Sequence, residues 1–216
     1  MDTSDAAVTF ADLAGFTALT EAHGDIAAAD VAEQLIADAE SVLGVGDRLV
    51  KAIGDAVLFT SVDASSAITL IFRLFDACER DARFPDLRAG LHYGPVVERG
   101  GDVFGTTVNV AARLAAQAGG GQILATRAVA DAAPSVGVQV RALGCMTLHN
   151  LTIPVELFKL VRDDANDRDV DPVCRMRVNP ATAAGRLTYA GGDYLFCSLD
   201  CAGKFAAQPD RFTSVR

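Results

Sequence analysis

The sequence predicts an α+β fold with a mixed or antiparallel sheet, followed by a small module that carries cysteines. Three observations predict this fold class. Short strand-like runs alternate with amphipathic helical stretches over the first 161 residues. Half of the 216 residues are hydrophobic, which is enough to form a substantial core. After an acidic stretch, the last part of the chain is turn-rich and holds three of the five cysteines.

Each element of the main domain is predicted from its periodicity and from the turn residues beside it. Alternating apolar residues lead to Asp12, and Thr17 then begins a helix that runs to about residue 23. A Gly-Asp pair after the second strand and Gly94 each predict a hairpin, and a Gly-Gly-Gly run ends a later helix. The other expected elements are a helix at 30–43, strands at 48–53 and 56–62, a helix at 64–80, strands at 87–93 and 95–99, a helix at 108–118, and strands at 123–126, 138–143 and 155–161.

Composition and charge exclude several classes of function. The net charge of −9 argues against a nucleic-acid-binding surface, because no basic stripe offsets it. The longest apolar stretch contains Arg73 and Asp76 and is too short to span a bilayer. The N-terminal residues 1–5 are acidic and lack the pattern of a secretion signal. We therefore expect a soluble, cytoplasmic protein that binds neither nucleic acid nor membrane.

The most informative run is 101–113, in which a glycine turn precedes Asn109 and Arg113. Four residues separate these two side chains, which places them on one face of a helix, one turn apart. An amide beside a guanidinium suits an oxygen-rich anion such as a polyphosphate. The run therefore predicts a polyphosphate-binding helix.

Asp12 and Asp55 are predicted to form a metal site. Asp12 ends the first strand and Asp55 lies in the hairpin turn after the second strand, and in a ferredoxin-like sheet these strands lie side by side. Paired carboxylates are what Mg²⁺ favours when phosphates complete its shell. The alternative is that Asp12 is only a helix cap and Asp55 only a turn former.

Lys51 and Asp102 form a second candidate pair, whose hydrogen-bonding groups complement a purine base. Adenine accepts a hydrogen bond at N1 and donates one from N6, so a lysine paired with an aspartate complements it. Guanine presents the reverse pattern, and mismatches of this kind in a hydrogen-bonded site discriminate strongly. The alternative is a surface lysine and a loop aspartate without a shared role.

The runs 10–17, 51–55 and 101–113, in this order, closely resemble the catalytic domain of class III nucleotidyl cyclases. The resemblance covers roughly residues 6 to 161 and implies a ferredoxin-like class III cyclase sandwich. It implies that Asp12, Asp55 and the Leu13 carbonyl hold two Mg²⁺ or Mn²⁺ ions. Lys51 and Asp102 would select adenine, Asn109 would orient the ribose, and Arg113 would stabilise the α-phosphate. The backbone N–H groups of Ala14, Gly15, Phe16 and Thr17 would bind the β- and γ-phosphates.

The resemblance also implies a homodimer whose active sites lie at the subunit interface and bind ATP. The metal aspartates would come from one subunit, and the purine, ribose and α-phosphate residues from its partner. One position departs from the family pattern, because His149 and Asn150 stand where the family often has a phosphate-binding lysine. Neutral pH leaves a histidine only partly charged, so His149 would be a weaker phosphate ligand.

The C-terminal residues 171–216 resemble the YHS domain, a small metal-knuckle-like module. Its cysteines are Cys174, Cys197 and Cys201, and three thiolates suit Zn²⁺ or Cu⁺. So short a module hardly buries enough core to fold without a metal. A fourth ligand is missing from the pattern, with Asp200 or solvent as candidates, and Leu195 stands where the family often has His. The alternative is three buried thiols in a docked tail.

These observations predict a class III cyclase domain at 1–161, an acidic linker at 162–170 and a YHS domain at 171–216. The expected activity is that of an adenylate cyclase in cyclic-nucleotide signalling, regulated by metal or redox state through the YHS tail. One alternative is a weak or inactive nucleotide-binding protein whose YHS tail senses heavy metals. Guanylate cyclase activity is disfavoured by Lys51 and Asp102.

Overall fold

A computed structural model describes residues 3–81, 84–148, 154–162 and 169–213. Its strands and helices follow one another in an order close to the predicted one. In chain order they are β1 (Thr3–Leu13), α1 (Phe16–Ser41), β2 (Arg48–Ile53), β3 (Ala56–Ser61), α2 (Ala64–Glu79), β4 (Leu87–Arg99), β5 (Asp102–Phe104), α3 (Thr106–Gln117), β6 (Ile123–Thr126), α4 (Arg127–Ala130), β7 (Gln139–Met146), β8 (Val155–Val161), β9 (Gly185–Tyr189), β10 (Gly192–Phe196), α5 (Leu199–Ala207) and α6 (Pro209–Thr213).

The main sheet has the strand order β2-β3-β1-β4-β6-β8-β7, with β5 paired to β4. Neighbouring strands are antiparallel except for β4 and β6, which are parallel. The mixed sheet with helices on its faces confirms the predicted α+β class. The expected direct pairing of the first and second strands is wrong, because β3 lies between β1 and β2; Asp12 comes close to the Asp55 turn through the pairing of β1 with β3.

Alternating residues of the central strand β1 pack into two different cores. Ala7 and Ala11 lie under α1 and α2, in the larger core. Val8 lies on the opposite face, in a smaller core with Ala111 of α3. This period of two is the expected signature of a strand that is covered on both sides. The sheet therefore carries α1 and α2 on one face and α3 on the other.

Gly90 of β4 allows α3 to lie unusually close to the sheet. A Cβ atom at this position would overlap the backbone oxygen of Ala111 and the backbone nitrogen of Ala115. No side chain other than hydrogen fits there, so Gly90 fixes the height of α3 over the sheet. Val110 and Leu114 of α3 are buried on the inner side of the helix.

The predicted hairpin at Gly94 is wrong. β4 runs without interruption from Leu87 to Arg99, and Gly94 pairs with Ala6 in the middle of the ladder. The glycine is needed for space rather than for a turn, because a Cβ atom there would lie 3.0 Å from the Thr107 hydroxyl oxygen. That hydroxyl donates a hydrogen bond to the Pro95 carbonyl.

The two helices predicted between residues 17 and 43 are a single element with a break inside it. α1 begins at Phe16, after Gly15 in a left-handed conformation, and not at Thr17. Gly24 interrupts it with φ 86° and ψ 169°, values that only glycine adopts readily. The first turns of α1, which end at His23, are thereby set apart from the longer part that packs on the sheet.

The C-terminal module consists of the β9–β10 hairpin followed by α5 and α6. Its small core contains Phe196 and Phe205, whose ring centroids lie 5.2 Å apart, together with Cys174 and Cys201. The module contacts the main domain through the buried Arg177. Its guanidinium donates to the carbonyls of Phe84, Cys78 and Asp81 at 2.6, 2.6 and 2.8 Å.

Among the described residues, no helix combines the length and the apolar character that crossing a membrane requires.

Candidate active site and metal centre

Asp12 and Asp55 lie close together at one end of the paired strands β1 and β3. Asp12 is the second-last residue of β1 and pairs with Ala56, the residue that follows Asp55 at the start of β3. The backbone N–H of Leu13 donates to the Asp55 carbonyl at 3.2 Å. Burial and, to a lesser extent, the nearby Asp12 carboxylate raise the pKa of Asp55. Two carboxylates that repel one another are a recognised setting for a divalent cation.

Arg88 is a neighbour of Asp12 that the sequence reasoning missed. Its Nε and Nη2 atoms lie 2.5 and 2.9 Å from the two carboxylate oxygens of Asp12. The cause is the register of β1 and β4, which places Arg88 directly opposite Asp12. Arg88 therefore occupies the oxygens that the predicted metal ions would use.

The loop at residues 14–17 leads from β1 into α1. Gly15 has φ 87° and precedes a helix that, within the described residues, has no side-chain cap. The first N–H groups of α1 consequently lack partners within the helix, which is the usual basis of anion binding at such a terminus. Ala14 differs from the others, because its N–H donates to the Asp86 carbonyl at 2.7 Å. The predicted phosphate contacts therefore fall on Gly15, Phe16 and Thr17.

Lys51 and Asp102 are brought together, although 51 residues separate them in the chain. The Lys51 Nζ atom lies 2.6 Å from an Asp102 carboxylate oxygen. The other oxygen accepts a hydrogen bond from the Val103 N–H at 2.8 Å. The hydrogen bond from Lys51, followed by that from Val103, lowers the pKa of Asp102. The pair is about one-third exposed, with the donor and the acceptor side by side.

Asn109 and Arg113 are exposed on the outer side of α3. Within the described part of the chain neither side chain forms a hydrogen bond or an ion pair, and neither meets Asp12 or Asp55. The helical spacing predicted for them is confirmed, because α3 spans both residues. His149 lies outside the described residues.

A second cluster joins the C-terminal module to α1. It contains three thiols and one imidazole, and all four ligand atoms lie within 4.8 Å of one another. The Nε2 atom of His23 is 3.5 Å from the Cys197 sulfur and 3.7 Å from the Cys201 sulfur. The Cys197 sulfur is 3.4 Å from that of Cys174 and 3.8 Å from that of Cys201.

Two known protein families match different parts of this chain. The model described as "Adenylate and Guanylate cyclase catalytic domain" matches residues 1–153, and the YHS domain model matches residues 170–216. The chain belongs to the adenylate and guanylate cyclase catalytic-domain family. Its C-terminal module is a YHS domain, and the predicted ferredoxin-like class III cyclase architecture is confirmed.

The chain is also similar to individual cyclases. It is 40% identical over 126 residues to an adenylate cyclase of Streptomyces coelicolor, which covers 58% of this chain and 33% of that protein. It is 34% identical over 159 residues to a pH-sensitive adenylate cyclase of Mycobacterium tuberculosis, with 72% and 40% covered. The fold is that of an adenylyl cyclase from P. aeruginosa, with a TM-score of 0.65 at 22% identity, covering 76% of this chain and 98% of that one. The chain thus spans well under half of these two curated relatives.

The fourth member of the thiol cluster comes from the cyclase domain and was missed by sequence reasoning. His23 belongs to α1, and 174 residues separate it from Cys197. Asp200, the residue considered for this place, is exposed and does not belong to the cluster. Leu195 is buried in the core of the module, at 7% exposure. The sequence contains one indication of a further ligand, because three thiolates leave one position of a four-ligand site open.

The YHS domain holds its cysteines in place through Asp171 and Ser198. The fully buried Asp171 carboxylate accepts hydrogen bonds from the N–H groups of Cys174 and Cys197, at 3.4 and 2.8 Å. Ser198 caps α5 by accepting from the Cys201 N–H at 3.1 Å. The hydrogen bonds among the thiols lower the pKa of Cys201 and raise that of Cys174. Metal binding to such a cluster releases the remaining protons.

Proposed function

We propose that this protein is an adenylate cyclase that converts ATP to 3′,5′-cyclic AMP and diphosphate. The observation that carries the proposal is the contact between Lys51 and Asp102, at 2.6 Å. A cation and a carboxylate side by side present the donor and the acceptor that the adenine N1 and N6 require. Relatives named adenylate cyclase support the same substrate.

Asp12, Asp55 and the Leu13 carbonyl would hold two divalent cations. Bound there, Mg²⁺ or Mn²⁺ would lower the pKa of the ribose 3′-hydroxyl and offset the charge of the triphosphate. The first N–H groups of α1 would bind the terminal phosphates. The 3′-oxygen then attacks the α-phosphorus in line, and diphosphate leaves. Arg113 would stabilise the charge that develops on the α-phosphate, and Asn109 would orient the ribose.

The proposed active site is shared between the two subunits of a homodimer. Asn109 and Arg113 face outward from α3, whereas Asp12 and Asp55 lie at the end of strands β1 and β3. Exposed apolar side chains lie close in sequence to the predicted site residues and fit a surface that a partner covers. They are Ile53 at 54% exposure and Phe104 at 50%.

The first experiment measures cyclic nucleotide and diphosphate production from ATP and from GTP, with Mg²⁺ or Mn²⁺. We expect cyclic AMP from the wild type and none from Asp55→Ala. The control variant is Asp25→Ala, an exposed aspartate that belongs to neither site. A wild-type protein that forms a dimer and binds ATP, yet yields no product, would contradict the proposal.

A mixing experiment tests the shared site. Asp55→Ala and Arg113→Ala are each expected to be inactive as homodimers. A heterodimer of the two has one site with both defects and one with neither. An equal mixture that exchanges subunits should therefore recover about a quarter of the wild-type activity. No recovery after proven subunit exchange would place all site residues on one chain.

A second candidate function is nucleotide binding without turnover, with the YHS domain as a heavy-metal sensor. The observation that favours it is the contact of Arg88 with both oxygens of Asp12, which competes with a metal ion. The two candidates differ in product formation and not in ATP binding. Guanylate cyclase activity would appear as cyclic GMP in the same assay.

The proposed compartment is the cytoplasm. All five cysteines are free, which fits a reducing environment. Export of a tagged full-length protein, measured by cell fractionation, would contradict this assignment.

A further inference from the structure

The thiol cluster is built by two domains rather than by one. We propose that it binds a single Zn²⁺ ion and that this ion fastens the YHS domain to the first turns of α1. The YHS domain provides three ligands and the cyclase domain provides the fourth. The ligands are His23, Cys174, Cys197 and Cys201.

Four of the six distances between the ligand atoms fit a tetrahedral zinc site. Zn–S bonds of about 2.3 Å and Zn–N bonds of about 2.05 Å give tetrahedral edges of about 3.8 Å between sulfurs and about 3.6 Å between sulfur and nitrogen. The two sulfur–sulfur contacts of Cys197 are 3.4 and 3.8 Å. The two contacts of the His23 nitrogen are 3.5 and 3.7 Å. These four edges agree with the expected tetrahedron to within about 0.4 Å. The other two edges, from the Cys174 sulfur to Cys201 and to His23, are at most 4.8 Å.

The ligand set favours zinc over copper. Three thiolates and one imidazole form a closed four-coordinate set, which is the usual composition of a structural zinc site. Cys174 and Cys201 are fully buried, whereas His23 and Cys197 are partly exposed and line a cavity of about 270 Å³. Asp171 and Ser198 hold the ligand backbones by the hydrogen bonds described above, and such outer contacts orient the ligands of a metal.

Neighbouring contacts hold the same turn of α1 against the YHS domain. The Lys204 ammonium donates to the Ala22 carbonyl at 2.8 Å. Arg211 lies 3.4 Å from Glu21. His23 ends this turn, immediately before the break at Gly24. The proposed ion would thus bind at the end of a short helical segment whose other end is the phosphate loop.

Arg175 extends this connection to the phosphate loop. It follows the ligand Cys174, and its aliphatic stem packs against Gly15, where an added Cβ would lie 2.6 Å from the Arg175 Cβ. Its φ of 65° is unusual for a residue with a side chain and shows that its surroundings constrain it. Zinc binding would therefore fix the residue that lies against the loop. This consequence rests on the proposed function of the loop, whereas the zinc site does not.

The test uses the full chain under reducing conditions, loaded with Zn²⁺ alone. We expect one Zn²⁺ per chain by elemental analysis, and an X-ray absorption spectrum with three sulfur ligands and one imidazole. His23→Ala should lose the imidazole signal and bind zinc at least about 10-fold more weakly in competition with a chelator. Asp25→Ala, two residues away and exposed, is the matched control and should behave as the wild type.

Hydrogen exchange measures the link between the domains. Zinc should slow exchange in residues 16–23 of the wild type and of Asp25→Ala, but less so in His23→Ala. Equal zinc affinity in His23→Ala and the wild type would overturn the proposal, because the site would then belong to the YHS domain alone. A wild type that takes up no zinc, or that binds copper in preference, would overturn it as well. None of these readouts depends on cyclase activity, so the proposed function and the zinc site can fail separately.

Discussion

The guanidinium of Arg88 contacts both oxygens of the Asp12 carboxylate, at 2.5 and 2.9 Å. The two residues are direct partners across β1 and β4, so their contact is a result of strand register. Both side chains are partly exposed, at 31% and 17%. A cation that binds Asp12 must therefore either displace the Arg88 guanidinium or share the carboxylate with it.

Arg88→Gln should bind Mn²⁺ more tightly than the wild type, by at least about 10-fold. Two unit charges about 4 Å apart interact by about 1 to 4 kcal/mol in surroundings between water and a protein surface, and the double charge of Mn²⁺ doubles this cost. Calorimetric titration with Mn²⁺ in the absence of nucleotide measures the change. Arg141→Gln, at an exposed position of β7, is the control. Weaker Mn²⁺ binding by Arg88→Gln would mean that Arg88 orients Asp12 for the metal instead of competing with it.

His92→Asn should make the stability of the protein less sensitive to acid. His92 accepts or donates a hydrogen bond with the Thr126 hydroxyl at 2.8 Å, and burial lowers its pKa below 6.5. The unfolded chain therefore binds a proton at a higher pH than the folded one does. The wild type loses stability as pH falls from about 6.5 through the lowered folded-state value.

Urea unfolding at a series of pH values from 7.5 to 5 checks this prediction. The difference in the free energy of unfolding between His92→Asn and the wild type should change in favour of the variant as the pH falls. Curves that stay parallel would show that His92 does not titrate differently in the two states. Titrating groups other than His92 cancel in this comparison, because both proteins contain them.

Lys51→Glu combined with Asp102→Asn should exchange the purine preference. A carboxylate accepts from the guanine N1–H, and an amide donates to O6. Loss of one hydrogen bond to a charged group costs about 1.5 to 3 kcal/mol, so kcat/KM for ATP should fall by about 10- to 100-fold or more. The value for GTP should rise. Steady-state assays with both nucleotides measure the ratio, with Arg99→Gln at an exposed neighbouring position as the control.

Arg177→Ala should weaken the attachment of the YHS domain to the cyclase domain. The Arg177 guanidinium is buried and donates to three carbonyls, that of Cys78 in the last turn of α2 and those of Asp81 and Phe84 just after it. Its removal leaves these acceptors without their charged donor, at a cost of about 3 kcal/mol. Urea unfolding gives the total loss, and hydrogen exchange locates it. Arg186→Ala, exposed on β9, should leave both measurements unchanged.

The features predicted correctly from the sequence are those that depend on local spacing. The helix that carries Asn109 and Arg113 is one example, because its period lies within a single element. Arg88 could not be predicted in the same way, because its partner follows from the register between β1 and β4, which are distant in the sequence.

Glycines account for the wrong predictions about secondary structure. At Gly94 the sequence indicated a turn, but the residue is small because the Thr107 hydroxyl approaches it closely. At Gly24 the sequence indicated the end of a helix, and the chain does break there, yet it resumes as a helix at once. A glycine marks either a conformation or a close approach, and only the neighbours from other elements distinguish the two.

A ligand set divided between two domains has a consequence for related chains that combine the same two domains. A YHS module joined to a cyclase that lacks a histidine at the His23 position would bring three cysteines and an open coordination position. A cyclase with this histidine but without the module would retain a side chain that has no metal to bind. The histidine and the cysteines should therefore be inherited together, and among fused chains the residue before the glycine in α1 should distinguish a fastened module from one that is merely tethered.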